Sequence, residues 1–228
     1  MKGMFIRGLQ GMFTKLIILL TFLIYPSLNF SQVYQINNQE VTTRVILDNE
    51  YIVISKFKSD SGNFISTQGG YYQLNEGVYE INLEFNSNYD QDSIKTLSIT
   101  KASKWKNISK ENDILKGKWV MSGRYNNGEF RTRNTDLPRK TMKILIDGFF
   151  QWIAFNTETF KFSGSGGGEY ETLDGKYIEI IQYFSRDDSR VGAELDFNYE
   201  VKNKDWYHSG FSSKGNPINE VWTIRNNK

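Results

Sequence analysis

The sequence contains no cysteine, which excludes disulfides, thiolate metal sites, thiol catalysis and a lipid-modified N-terminal cysteine. Its single histidine, His208, rules out any site built from several imidazoles and leaves a Ser-His-carboxylate triad dependent on that one ring. No stretch beyond residue 32 keeps a helical period of 3.6. Positive charge is also scarce once the first 32 residues are set aside: 28 basic residues fall to 25, against 26 acidic ones, a formal charge of −1. A nucleic-acid binder's basic footprint is missing, so no nucleic-acid partner is expected.

Those first residues have the layout of a secretory leader. Lys2, Arg7 and Lys15 precede an apolar run, Leu16 to Tyr25, that is broken only by Thr21 and closed by Pro26 and Ser27. Ser31 then offers a small residue just before Gln32. The run is too short for a spanning helix, which needs about 20 apolar residues. Residues 1–32 therefore read as a signal peptide cleaved near Ser31, with a secreted or periplasmic product that has no stable membrane span.

What remains is rich in aromatic residues, 15% of the chain, with few Ala and Leu, a balance that favours strands. About 196 residues suffice for one large core or two small ones. The chain also repeats itself. Phe64 to Gly70, then Tyr72, Gly77 and Tyr79, return as Phe162 to Gly168, Tyr170, Gly175 and Tyr177, 98 positions on. Val45-Ile46-Leu47-Asp48 matches Ile144-Leu145-Ile146-Asp147, and Glu80, Ile81 and Phe85 match Glu179, Ile180 and Phe184, both at an offset of 99. Single-residue slips of this kind are what bulges permit.

Turn chemistry fixes the strands. Asp147-Gly148 and Asp174-Gly175 stand between apolar or β-branched runs, as a type I′ hairpin turn requires; Asn49 and Glu76-Gly77 occupy the matching places in the first copy. Phe150, Trp152 and Ala154 alternate with Gln151, Ile153 and Phe155, a period of two that marks antiparallel strands. The expected architecture is all-β: antiparallel meander barrels of lipocalin-like type in two tandem related copies, a shortened one over 33–108 and a longer one over 114–226, joined by a polar linker from Lys106 to Leu115.

Gly117-Lys118-Trp119 resembles the Gly-x-Trp opening of lipocalin and calycin barrels. The resemblance implies that Trp119 closes the barrel floor and that Arg225 packs on it through a cation–π contact. The stretch from Arg139 to Trp222, including Phe150 to Thr159 and Phe184 to Ala193, is similar to a family of uncharacterised bacterial membrane or secreted proteins with tandem lipocalin-like domains. That resemblance implies a fold and a compartment but no reaction.

No catalytic constellation emerges from the residues. His208 lacks partners with motif spacing. Gly164 to Gly168 has no following Gly-Lys-Ser/Thr and reads as a bend in a curved sheet rather than a phosphate loop. Asp187 and Asp188, flanked by Arg186 and Arg190, lack the calcium-loop rhythm and read as a solvated ion-pair cluster; Glu169, Glu171 and Glu179 read as the wet face of strands. No metal or cofactor is expected. Phe149, Phe150, Trp152, Phe155, Tyr170, Tyr177, Tyr183 and Phe184 either fill a barrel or line a cup in it, with Phe150, Trp152, Tyr170, Tyr177 and Tyr183 the candidate ligand contacts. The expectation is a non-enzymatic module for a small hydrophobic ligand or a cell-envelope partner. The alternatives are an envelope glycan or lipid hydrolase using carboxylates near a barrel mouth, and a structural assembly unit.

Overall fold

A computed structural model describes residues 31–110 and 114–225; apart from its last two residues, the leader expected over 1–32 lies outside them. Two antiparallel sheets hold about two thirds of these residues. The first holds β1 (Gln32–Asn38), β2 (Val41–Leu47), β3 (Tyr51–Lys58), β4 (Phe64–Asn75), β5 (Val78–Asn86), β6 (Thr96–Thr100) and the two-residue β7 (Lys106–Asn107), in the order β6-β5-β4-β3-β2-β1-β7. The second holds β8 (Gly117–Asn126), β9 (Glu129–Thr132), β10 (Arg139–Ile146), β11 (Phe149–Asn156), β12 (Phe162–Leu173), β13 (Lys176–Phe184), β14 (Glu194–Lys202), β15 (Asp205–Phe211) and β16 (Pro217–Ile224).

In the second sheet β10 to β16 run as a meander, β16 pairs with β8, and β8 pairs back onto β10 through Val120↔Met142 and Gly117↔Leu145. Eight strands thus close into a barrel, with β9 hanging from β8 as the outer strand of a hairpin. The first sheet stays open, so the expectation of two barrels is corrected to one. Its open face is covered by the chain after β6: Trp105 stacks on Tyr79 at 6.3 Å and tilts against Tyr34 at 5.6 Å, while the Lys101 ammonium sits 4.2 Å from the Tyr34 ring centroid.

The two sheets share one register. β2–β3 pairs Leu47 with Ile52 and β10–β11 pairs Leu145 with Phe150. Leu74↔Tyr79 returns as Thr172↔Tyr177, and Val78↔Thr100 as Lys176↔Asn198. Bulges between Lys56 and Phe57 and between Gly69 and Gly70 return between Ala154 and Phe155 and between Gly167 and Gly168. The offset is 98 across all five strands β2–β6 and β10–β14. The slips to 99 read from the sequence are therefore absent, and Glu179 corresponds to Ile81, not to Glu80.

Glycine is required at the second bulge, because a Cβ on Gly70 would lie 1.9 Å from the Asn82 carbonyl oxygen and one on Gly168 1.9 Å from that of Ile180. The turns hold as read at Asp147-Gly148 (φ 46° and 80°) and Asp174-Gly175 (φ 49° and 77°), the type I′ signature. Strands β15 and β16 have no counterpart in the first sheet.

The barrel packs against the open sheet through a layer that includes Val53, Tyr51, Phe85, Met142, Ile144, Phe149 and Phe155. Its aromatic contacts are reciprocal: Phe57 stacks on Tyr183 at 4.8 Å, Phe155 tilts against Phe85 at 5.0 Å, and Phe64 stacks on its own repeat mate Phe162 at 6.1 Å. Equivalent residues meeting in swapped roles is the pattern of an isologous interface, here within one chain. At its centre Gln151 accepts hydrogen bonds from Ser55 and Tyr183 and donates to Thr67 and Ser165, all within 2.9 Å. Every hydrogen-bonding position of the buried amide has a partner, as a polar group in such a layer must.

Candidate functional site

Because the barrel is packed on one side by the open sheet, strands β10 to β12 are buried on both faces, and hydrophobic alternation alone does not say which face is inside. The structure does. Leu145, Phe150, Tyr170, Tyr177, Phe197, Trp206 and Trp222 point inward and form the barrel core with Trp119 and Leu115. Tyr183 points outward to Gln151 and Phe57, so it belongs to the layer between the sheets and not among the ligand contacts where the sequence placed it. Leu115, expected in a linker, is fully buried and accepts the Trp119 indole N–H at 2.8 Å.

Trp119 is buried in the barrel core, edge-on to Trp206 at 5.7 Å. Arg225 does not join it. Its guanidinium forms a two-pronged pair with Glu84 of the first sheet, both contacts 2.7 Å, and lies 5.7 Å from the Tyr71 ring centroid. The arginine that the Gly-x-Trp resemblance assigns to the floor instead fastens the end of the barrel to its neighbour.

Above the core the barrel opens into a cup of about 340 Å³. Its walls are Phe150, Trp152, Ile181, Phe184, Leu195, Phe197, Ile218 and Trp222; Gly166 and Gly167 leave room along β12. At the mouth Trp152 stacks on Phe184 at 6.0 Å, and the Arg186 guanidinium covers Trp152 at 5.1 Å. Of the candidate contacts, Phe150 and Trp152 line the cup, whereas Tyr170 and Tyr177 lie in the core beneath it.

The inner part of the cup is polar, which the sequence did not announce. Lys143 and Glu179, both buried, pair at 2.6 Å, and Tyr177 donates to the same Glu179 oxygen at 2.8 Å. The Lys143 ammonium also lies between 5.2 and 5.7 Å from the ring centroids of Tyr177, Phe197, Trp206 and Trp222. Burial and the neighbouring carboxylate push the Tyr177 phenol well above its usual pKa, so it stays a donor. The residues at these two places in the first sheet are Val45 and Ile81; the barrel has a buried ion pair where its twin has two aliphatic side chains.

His208, 2% exposed, completes this region. Its ring packs against Phe197 at 4.2 Å and Trp206 at 5.1 Å, and neither ring nitrogen has a hydrogen-bond partner among the described residues. Nδ1 lies 3.6 Å from Glu220 Oε2, just beyond hydrogen-bonding reach. Burial, reinforced by Lys143, pushes the imidazole pKa below its usual value, so the ring is neutral at pH 7. For Glu220, burial would raise the carboxyl, but His208, Lys143 and the Trp222 indole N–H at 3.2 Å together hold it below the usual carboxylate value.

Other candidates fall elsewhere. Glu169 pairs with Lys110 and accepts from Gln182 outside the cup; Glu171 and Asp188 are exposed. Asp187 caps the short 3-10 turn Asp188–Arg190, bonded to Ser189 and Arg190. Gly164 to Gly168 lie in β12. Among the described residues no group of three His, Cys, Asp or Glu side chains is placed to hold a metal ion, and no helix is long and apolar enough to cross a membrane. No protein-family model matches the sequence, and no curated protein matches it either.

Proposed function

We propose that the protein is a lipocalin-like binding module that takes one small, mostly apolar molecule into the barrel cup, with a polar group of that molecule directed at His208. The observation that carries this reading is a buried imidazole, its Nε2 without a partner and its Nδ1 with only a long 3.6 Å contact to Glu220, on the wall of a cup whose outer part is apolar. Buried polar atoms without partners are rare in folded proteins, and a ligand's donor or acceptor supplies what the chain omits. The cup's volume falls in the range of small-molecule pockets, about 300 to 1,000 Å³. A binding role suits the site better than hydrolysis by paired carboxylates, because, of the two carboxylates in the cup, Glu179 and Glu220, the first is already engaged by Lys143 and Tyr177, while Glu169, Glu171, Asp187 and Asp188 lie away from it. Export through the leader and an envelope setting remain part of the same proposal.

The test is native mass spectrometry of the protein purified from its own host, beside an Ile181→Trp variant whose larger side chain fills the cup. The expected result is a small-molecule adduct on the natural protein that the variant lacks. An adduct of equal occupancy on the variant, or none on either protein, overturns the reading.

A further inference from the structure

Resting on that binding reading, we infer that the polar group of the ligand is an amine, held as its ammonium by Glu220. Of the two carboxylates that line the cup, Glu179 is paired with Lys143, and Glu220 is the one with no lysine or arginine at ion-pair distance. Lys143 is committed to Glu179 at 2.6 Å, whereas Glu220 has only the Trp222 indole N–H at 3.2 Å and the edge of His208 at 3.6 Å. The Glu220 charge is met inside the cup only by the His208 edge and, at longer range, by Lys143 and Arg133. A charge removed from water in this way calls for a counter-charge.

An ammonium meets each need at once. It neutralises Glu220 and donates a second hydrogen bond to an unpartnered imidazole nitrogen. Lys143 opposes a second cation here, but Glu179 at 2.6 Å offsets its charge, and the rings of Phe197 and Trp222, which lie within 5.7 Å of the Lys143 ammonium, favour positive charge beside them. A ligand carboxylate would instead add a third negative charge to the cup, and an alcohol would leave Glu220 unpaired. Arg186 and Lys214 at the mouth repel the ammonium there and favour its inward orientation. The ligand class is thus an apolar or aromatic amine.

Three probes sharing one body separate the cases: 4-phenylbutylamine, 4-phenylbutan-1-ol and 4-phenylbutyrate, titrated into the purified protein and followed by tryptophan fluorescence and calorimetry. The amine is expected to bind at least about tenfold more tightly than the alcohol, with the acid weakest. In Glu220→Gln the amine's advantage shrinks to within about threefold while the alcohol's affinity is kept. Should the alcohol or the acid match the amine on the natural protein, the amine assignment falls and the binding reading stands; that comparison needs no variant to fold. Should Glu220→Gln fold and keep the full preference, Glu220 is not the anchor and the inference falls. Binding of none of the three overturns the cup as a binding site, and the amine with it.

Discussion

Ser55 donates a 2.8 Å hydrogen bond to the side-chain oxygen of Gln151, 96 residues away, in the layer that joins the open sheet to the barrel. Gln151 is also bound by Thr67, Ser165 and Tyr183, so one amide serves four hydroxyl groups from both halves of the chain. Replacing it with leucine, which keeps the bulk, removes one hydrogen bond from each of them in a dry layer, although Ser55 and Thr67 keep each other and Ser165 keeps the Trp152 carbonyl. Gln151→Leu is expected to lower unfolding stability by about 3 kcal/mol or more, read as a fall in the urea midpoint with an unchanged slope.

The glycines at the shared bulge and at the hairpin tips should respond differently to the same substitution. Gly168→Ala drives a Cβ to 1.9 Å from a backbone oxygen, and the strand must move, at about 3 kcal/mol or more. Gly175→Ala has nothing within 4 Å and only a positive φ of 77° against it, at about 1 kcal/mol. Thermal unfolding of the two variants should rank them in that order, and Gly70→Ala should behave as Gly168→Ala does.

The ion pair inside the barrel can be compared with its own repeat. Lys143→Val alone leaves Glu179 buried without a cation, and Glu179→Ile alone leaves Lys143 without an anion; each is expected to cost about 3 to 5 kcal/mol. Made together, they recreate the Val45 and Ile81 pairing of the first sheet, and stability should return to within about 2 kcal/mol of the natural protein. A double-mutant cycle by denaturant titration reads the coupling. Additive losses would show that the pair does not act as a unit.

Acidification should weaken the fold through His208. Its folded pKa is depressed below the usual 6.5, so the unfolded chain binds the proton first. The corresponding stability is complete above about pH 6.5 and is lost as pH falls from there toward the folded pKa. Glu220, also depressed, adds its own loss only below the ordinary carboxylate range. The urea midpoint of the natural protein should therefore drop between about pH 7 and pH 5, and the drop should shrink in His208→Phe. An equal drop in both would assign the effect to other groups.

The strands and most turns were legible because alternation and Asp-Gly pairs are local signals, and the duplication was legible because Phe64 to Tyr79 kept its spacing. The offset was misread where chance identities, Glu80 with Glu179 and Ile81 with Ile180, outweighed the pleat: the register that pairs Leu74 with Tyr79 and Thr172 with Tyr177 places a buried Ile81 opposite a buried Glu179 in the alignment. The cup's chemistry was not legible for another reason. Lys143, His208 and Glu220 come together only when β16 docks on β8 and β8 on β10, and a lone histidine in Trp206-Tyr207-His208-Ser209 gives no sign of it. One signal was available: Lys143 stands between Met142 and the apolar run Ile144 to Ile146, in the strand that the Asp147-Gly148 turn joins to the doubly buried β11.

The segment from Asp205 to Ile224 belongs to the second half alone, and it brings two things at once: the missing wall of the cylinder and, on that wall, His208 and Glu220. Closure of the cylinder and the placing of these two side chains therefore depend on the same hairpin. The half without this hairpin stays an open sheet faced by Trp105; the half with it closes on itself.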